Sequence, residues 1–154
     1  GGFEALCKGA GGFEALRSIL DPKPLIASTP DGKITADSTN SSSFKPTNVK
    51  YSSSASYGWV SNNYGKHGLT VDFGRNVLLM QVETKKSGCS ASCDAFKMLV
   101  SKGDSSFHLV QEFQSPNSTL PPTPCLCYGR HVKFVPTKWT IYPTLRAEVH
   151  GLPI

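Results

Sequence analysis

No apolar run in the 154 residues approaches the roughly 18 needed to cross a bilayer as a helix, so the chain reads as soluble. Beyond about residue 20 nothing keeps the i, i+3, i+4 apolar spacing of a long amphipathic helix, which removes helical bundles from consideration. Charge is scarce: 18% of residues are Asp, Glu, Lys or Arg, and the net +5 is scattered singly or in pairs such as Lys85-Lys86. With no basic helix, aromatic-studded basic strand or zinc-finger spacing beside that charge, no nucleic-acid partner is expected. Catalytic signatures are missing too. His67, His108, His131 and His150 stand apart and there is no Gly-x-Ser-x-Gly elbow, so the chain is read as not an enzyme, with no cofactor and no metal. Neither an initiator methionine nor a signal peptide precedes Gly1-Gly2, which suggests a mature or excised form.

What is abundant is Ser, Thr, Gly and Pro, the punctuation of a β-rich domain with many turns. Residues 1–20 are set apart as an extension that carries Gly-Gly-Phe-Glu-Ala-Leu twice, ten residues apart; residues 21–154 form one domain, long enough for a sizeable core. The repeat is read either as a flexible leader or as a segment that orders against a partner, with Cys7 available for a bond between chains. A homo-oligomer or larger assembly built that way is one expectation. Period-two alternation marks strands at Leu69–Gly74, Val77–Thr84, Ala95–Ser101 and Phe107–Val110. The proline-rich Ser115–Pro124 is read as a crossing segment. Arg130 to Glu148 reads as two strands joined by a loop bounded by Pro136 and Pro143 and holding Trp139. Arg146 and Glu148, two apart, share a strand face and need partners there. About eight short strands indicate an antiparallel sandwich or barrel.

Cys89 and Cys93, with Cys125 and Cys127, make an even set in two tight clusters. Two disulfides between the clusters are preferred to a zinc site, because Cys125-Leu126-Cys127 is too closely spaced for the usual paired ligands. Asn40-Ser41-Ser42 and Asn117-Ser118-Thr119 are glycosylation sequons in turn-rich segments. Cysteines and sequons together favour a secreted, extracellular glycoprotein.

Taken in order, ITADS (34–38), YGW (57–59), GLTVDFG (68–74), LLMQVETKKSG (78–88), AFKMLVSKGDSSFHLV (95–110) and RHVKFVPTKWTIYPTLRAEVHG (130–151) resemble the discoidin domain, also called the coagulation factor V/VIII type C domain. The resemblance spans about Leu25 to Gly151. Its most specific part is the closing signature of Arg130, Val132, Pro136, Trp139, Leu145, Arg146, Glu148 and Gly151. It implies an all-β, antiparallel jelly-roll sandwich or barrel of the galactose-binding-domain type that binds through loops at one end. Those loops would be 37–51, 57–64 and 84–93. Where carbohydrate-binding relatives hold calcium at an Asp-Gly turn, this chain has Ser54-Ala55-Ser56.

Two ligand chemistries fit such loops. Asp37, Asn48, Asn62, Tyr57 and Trp59 are the amide, carboxylate and aromatic types that hold sugar hydroxyls and stack on a pyranose face, although a Trp between Gly and Val also suits a core position. Phe44 with Lys45, Lys85 and Lys86 is the apolar tip and basic rim that meets an anionic phospholipid surface. The leading expectation is a secreted, non-catalytic adhesion domain that binds carbohydrate on a cell-surface or matrix glycoconjugate. A phospholipid-surface or protein-adhesion module, or a structural component docked through the N-terminal repeat, is the alternative.

Overall fold

Alternating burial along the strands fixes the architecture. The computed structural model describes residues 20–62, 67–104 and 106–153; the repeat and Cys7 lie outside them. Nine strands follow in chain order: β1 (Lys23–Pro24), β2 (Ile34–Ala36), β3 (Trp59–Val60), β4 (Leu69–Thr84), β5 (Ser92–Ser101), β6 (His108–Gln114), β7 (Leu120–Thr140), β8 (Thr144–Leu145) and β9 (Ala147–Pro153). The main sheet runs β1-β9-β4-β7-β5-β6, with β2 added beside β4, and a small sheet pairs β3 with β8. All pairings are antiparallel. The end strands β1 and β6 do not meet, so this is an open sandwich, not a closed barrel. Trp59 and Leu145 from the small sheet share one core with Leu69, Val71, Phe96, Met98, Val132 and Phe134 from the large one. Each such side chain contributes about 1.5–3 kcal/mol by leaving water.

Three stretches depart from the sequence expectation. The second strand expected at the Glu148 end is divided at Arg146 between β8 of the small sheet and β9 of the main one. Leu69–Gly74 and Val77–Thr84 are one strand, not two. Gly74 at φ +78° does not end the ladder, because the chain absorbs it in an irregularity between Asp72 and Val77. Likewise β7 already starts at Leu120, within the expected crossing segment, and runs through Pro136 and Trp139, so Trp139 sits in a strand and not in a loop. The prolines are tolerated for a local reason. From Leu120 to Tyr128, β7 is laddered to β4 alone, and Pro136 stands at a register shift against β5, where no ladder N–H is required.

Arg146 and Glu148 have partners, but not each other. One Arg146 Nη2 donates to the carbonyls of Ala55 and Tyr57, both at 3.0 Å. Glu148 accepts three backbone N–H groups, from Ile26 at 2.7 Å, Ala27 at 3.0 Å and Val149 at 2.8 Å. Both side chains are therefore part of the frame.

The expected disulfides are not formed: Cys89, Cys93, Cys125 and Cys127 are all free thiols. Register explains it. Cys93 stands opposite Trp139 and Cys127 opposite Leu79, so no cysteine of one cluster faces one of the other across a ladder. Burial pushes the Cys93 thiol up to about 12. The bond between the Cys125 and Cys127 side chains, with burial adding to it, drives the Cys125 thiol up; the same bond draws Cys127 down against its burial. A thiol reagent applied to the native protein without reductant should therefore modify half-buried Cys127 well before Cys93, and after unfolding all four should react. Four thiols protected from labelling after unfolding would restore the disulfide expectation.

Candidate functional site

Loops meet at one end of the sandwich, those that follow β2, β4 and β7 and the one that leads into β3. The first leaves β2 at Asp37. Its carboxylate accepts the Gly68 N–H at 3.1 Å and lies 3.6 Å from the Lys133 ammonium, so this expected ligand contact is tied to neighbouring chain. Two 3-10 turns follow, Ser42–Phe44 and Pro46–Val49. Asn48 is 1% exposed and its amide donates to the Ser43 carbonyl at 2.9 Å. It braces the loop from within, which corrects its expected place among ligand-facing residues.

The second loop is fastened twice. Gly58 donates its N–H to the Ser87 carbonyl at 3.0 Å, and a Cβ there would meet the Leu145 carbonyl oxygen at 2.7 Å. Gly88, at φ +86°, lies against the Ser56 carbonyl where no side chain fits. These two glycines and Arg146 hold residues 55–58 against 87–88, which leaves Tyr57 39% exposed with its ring 5.2 Å from that of Phe44. Trp59, two residues on, points inward. It is fully buried and its indole N–H donates to the Ser38 carbonyl at 3.0 Å, so the core reading holds and a ligand-facing role does not. Asn62 is half-buried beside Ser61, whose hydroxyl meets Ser38 at 2.6 Å and His67 Nδ1 at 3.0 Å.

The third loop, joining β7 to β8, lies within the stretch expected as a loop between Pro136 and Pro143, but was not expected among the ligand-facing loops. Ile141 is 53% exposed at φ +68°, and Tyr142 beside it is 36% exposed. The signal was the Thr-Ile-Tyr-Pro stretch: Pro143 ends the ladder, and its carbonyl receives the Ser61 N–H at 2.8 Å, which sets the tip over the end of the sheet. A β-branched residue in the left-handed region is strained, and such strain persists where the surroundings impose it.

Between these loops lies a pocket of about 190 Å³ lined by Asn40, Phe44, Val60, Ser90, Ile141 and Tyr142, among others. Of the expected contacts, Phe44 lines it directly and the Tyr57 ring packs at a tilt against Phe44. Lys45, Lys85 and Lys86 are exposed on the neighbouring loops, and the Lys85 ammonium sits 4.3 Å from the centre of the Tyr51 ring. Asn40, the first sequon, is exposed at the rim; Asn117, the second, is exposed in a turn at φ +54°. Among the described residues no three His, Cys, Asp or Glu side chains converge as a metal site.

An open antiparallel sandwich with irregular loops gathered at one end defines a recognisable class of domain. No protein-family profile and no curated protein matches the chain in sequence. Solved structures match it in fold. Discoidin II from Dictyostelium discoideum superposes with a TM-score of 0.66 at 14% identity, over 82% of this chain and 61% of that one. Chitosan-binding module 1 of a Paenibacillus chitosanase/glucanase gives 0.67 at 16% identity, over 82% and 98%. A family 32 carbohydrate-binding module from Clostridium perfringens, in complex with galactose, gives 0.65 at 9% identity, over 84% and 98%. The chain thus has the discoidin-type, galactose-binding-like β-sandwich fold, and spans about three-fifths of discoidin II.

Proposed function

We propose that this chain is a non-catalytic carbohydrate-recognition domain that takes a sugar ring of a cell-surface or matrix glycoconjugate in the loop-end pocket. The observation that carries the reading is the composition of that pocket. Phe44 and Tyr142 offer aromatic faces for the C–H side of a pyranose, and Asn40 and Ser90 offer an amide and a hydroxyl for its hydroxyls. Its volume suits one ring, not a buried oligomer. That structures of the same fold bind chitosan and galactose supports the choice of ligand class. An extracellular setting belongs to the proposal and rests on the Asn117 sequon, since the thiols are unpaired and a glycan on Asn40 would crowd the pocket that its amide is proposed to line.

One observation favours a second reading. Ile141 and Tyr57 expose apolar surface at the same end as Lys45, Lys85 and Lys86, the arrangement of an interfacial anchor on an anionic bilayer. A glycan array together with a pull-down on phosphatidylserine vesicles separates the two. The sugar reading expects array binding that Tyr142→Ala weakens about tenfold or more, roughly 1.4 kcal/mol. Vesicle binding that Ile141→Asp abolishes, with a silent array, would overturn it.

A further inference from the structure

A larger concavity lies away from the loop end. It is a trough of about 400 Å³ on the outward face of the main sheet. Its floor is a cross-strand row. Thr35 of β2 stands opposite Thr70 of β4, Thr70 opposite Lys133 of β7, and Asp72 opposite His131. These alternate with buried Ile34, Leu69, Val71 and Val132, so the row faces solvent by the same period of two that builds the core. Gly32 and Lys33, before β2, form one wall, and Asp104 and Phe107, after β5, form the other.

The walls are set by contacts within the fold. The Phe107 ring lies 5.8 Å from the Lys133 ammonium and 6.4 Å from the His131 ring. Asp104 Oδ1 accepts the Ser101 hydroxyl at 3.3 Å and the Ser106 N–H at 3.1 Å. Asp72 receives both Nε and Nη2 of Arg130, at 3.0 and 3.3 Å, and faces His131 Nε2 at 3.5 Å. The Arg130 bond outweighs burial and holds the Asp72 carboxyl at about 2, so it stays charged and matched.

Charge of both signs along the floor argues against a polyanion, and the lack of an apolar floor argues against a lipid tail or a helix. What the trough presents is hydroxyls, fixed carboxylates and a single aromatic wall. Its three strands, 4.7–4.9 Å apart, span about 10 Å, roughly the length of two pyranose rings. We infer that this trough is a second saccharide site, one for a neutral disaccharide unit that lies across β2, β4 and β7 with a ring against Phe107.

It shares no residue with the loop-end pocket. The two lie toward opposite ends of β5, whose Ser92–Ser101 span is about 30 Å. Two sites so separated would let one chain bridge two glycan branches, multiplying avidity without a new contact.

Amide chemical-shift mapping of the intact chain with lactose, cellobiose and N,N′-diacetylchitobiose tests this. At least one should perturb Thr35, Thr70, Asp72 and Phe107. Phe107→Ala should weaken that response about tenfold, and Thr35→Arg, at an exposed position that fills the trough, should abolish it while the remaining spectrum stays native. Tyr142→Ala should leave it unchanged. If none of the three sugars perturbs these amides at millimolar concentration, or if the response survives in both trough variants, the second site does not exist. Loop-end binding without trough binding overturns this inference alone and leaves the proposed function standing.

Discussion

Glu148→Ala should lower the unfolding free energy by about 3–5 kcal/mol, measured by urea denaturation with tryptophan fluorescence. The carboxylate is 3% exposed and is the shared acceptor for the N–H groups of Ile26, Ala27 and Val149. Without it the buried Ile26 and Val149 donors have no partner, each costing about 1–3 kcal/mol, while the exposed Ala27 N–H turns to water. Leu25–Ala27 would lose its attachment to β9 except for the Leu25 N–H bond to the Val149 carbonyl. Glu148→Gln should cost about half as much, because its amide oxygen still accepts while its NH2 confronts a donor. A loss below about 1 kcal/mol for the alanine variant would show that the segment finds other acceptors.

The same group sets a pH dependence. Burial, the largest influence, raises the Glu148 carboxyl above its ordinary 4.5, against the three N–H bonds and the nearby His150. In the folded protein the carboxyl therefore keeps its proton at pH values where the unfolded chain has lost it. Its contribution is full below 4.5 and is lost as pH rises through the folded value. Stability measured upward from pH 4 should decline in the parent and decline less in Glu148→Gln. Identical slopes would rule out this residue as the cause.

Arg146→Met should cost about 2–4 kcal/mol and, more tellingly, should weaken ligand binding at the loop end about tenfold. The guanidinium is 9% exposed and ties the carbonyls of Ala55 and Tyr57 to the frame. Methionine fills much of the volume but donates nothing, so the two carbonyls are freed and Tyr57 no longer sits firmly against Phe44. Arg146→Lys, with one compact ammonium, should fall between. If Arg146→Met loses stability but binds as the parent does, the Tyr57 loop has no part in the site.

The frame was legible in the sequence because its code is local. Alternation gave the outward and inward faces of β4 and β5, and the two-residue spacing of Arg146 and Glu148 announced that both would need partners. What could not be read depends on register. Prolines serve as stop signals only when both edges of a strand are laddered, and β7 has one edge free where Pro121, Pro122 and Pro124 stand. Cysteine counting suggested two cross-links, but the residue opposite each sulfur is chosen by strand pairing, which spacing does not encode. At the loop-end pocket, Phe44 and Tyr57 were named through the resemblance, whereas Ile141 and Tyr142 were not, because the exposure of that tip depends on a positive φ at a β-branched residue. Asn48 and Trp59 carry suitable chemistry but point inward, a matter of packing and not of residue type.

The free edge of β7 has its own consequence. Sheet domains crowded together tend to fuse where an unpaired strand offers an uninterrupted row of N–H and C=O groups. Three prolines within Leu120–Pro124 delete the donors from the start of that row. A strand from a neighbouring copy would find no ladder to extend there.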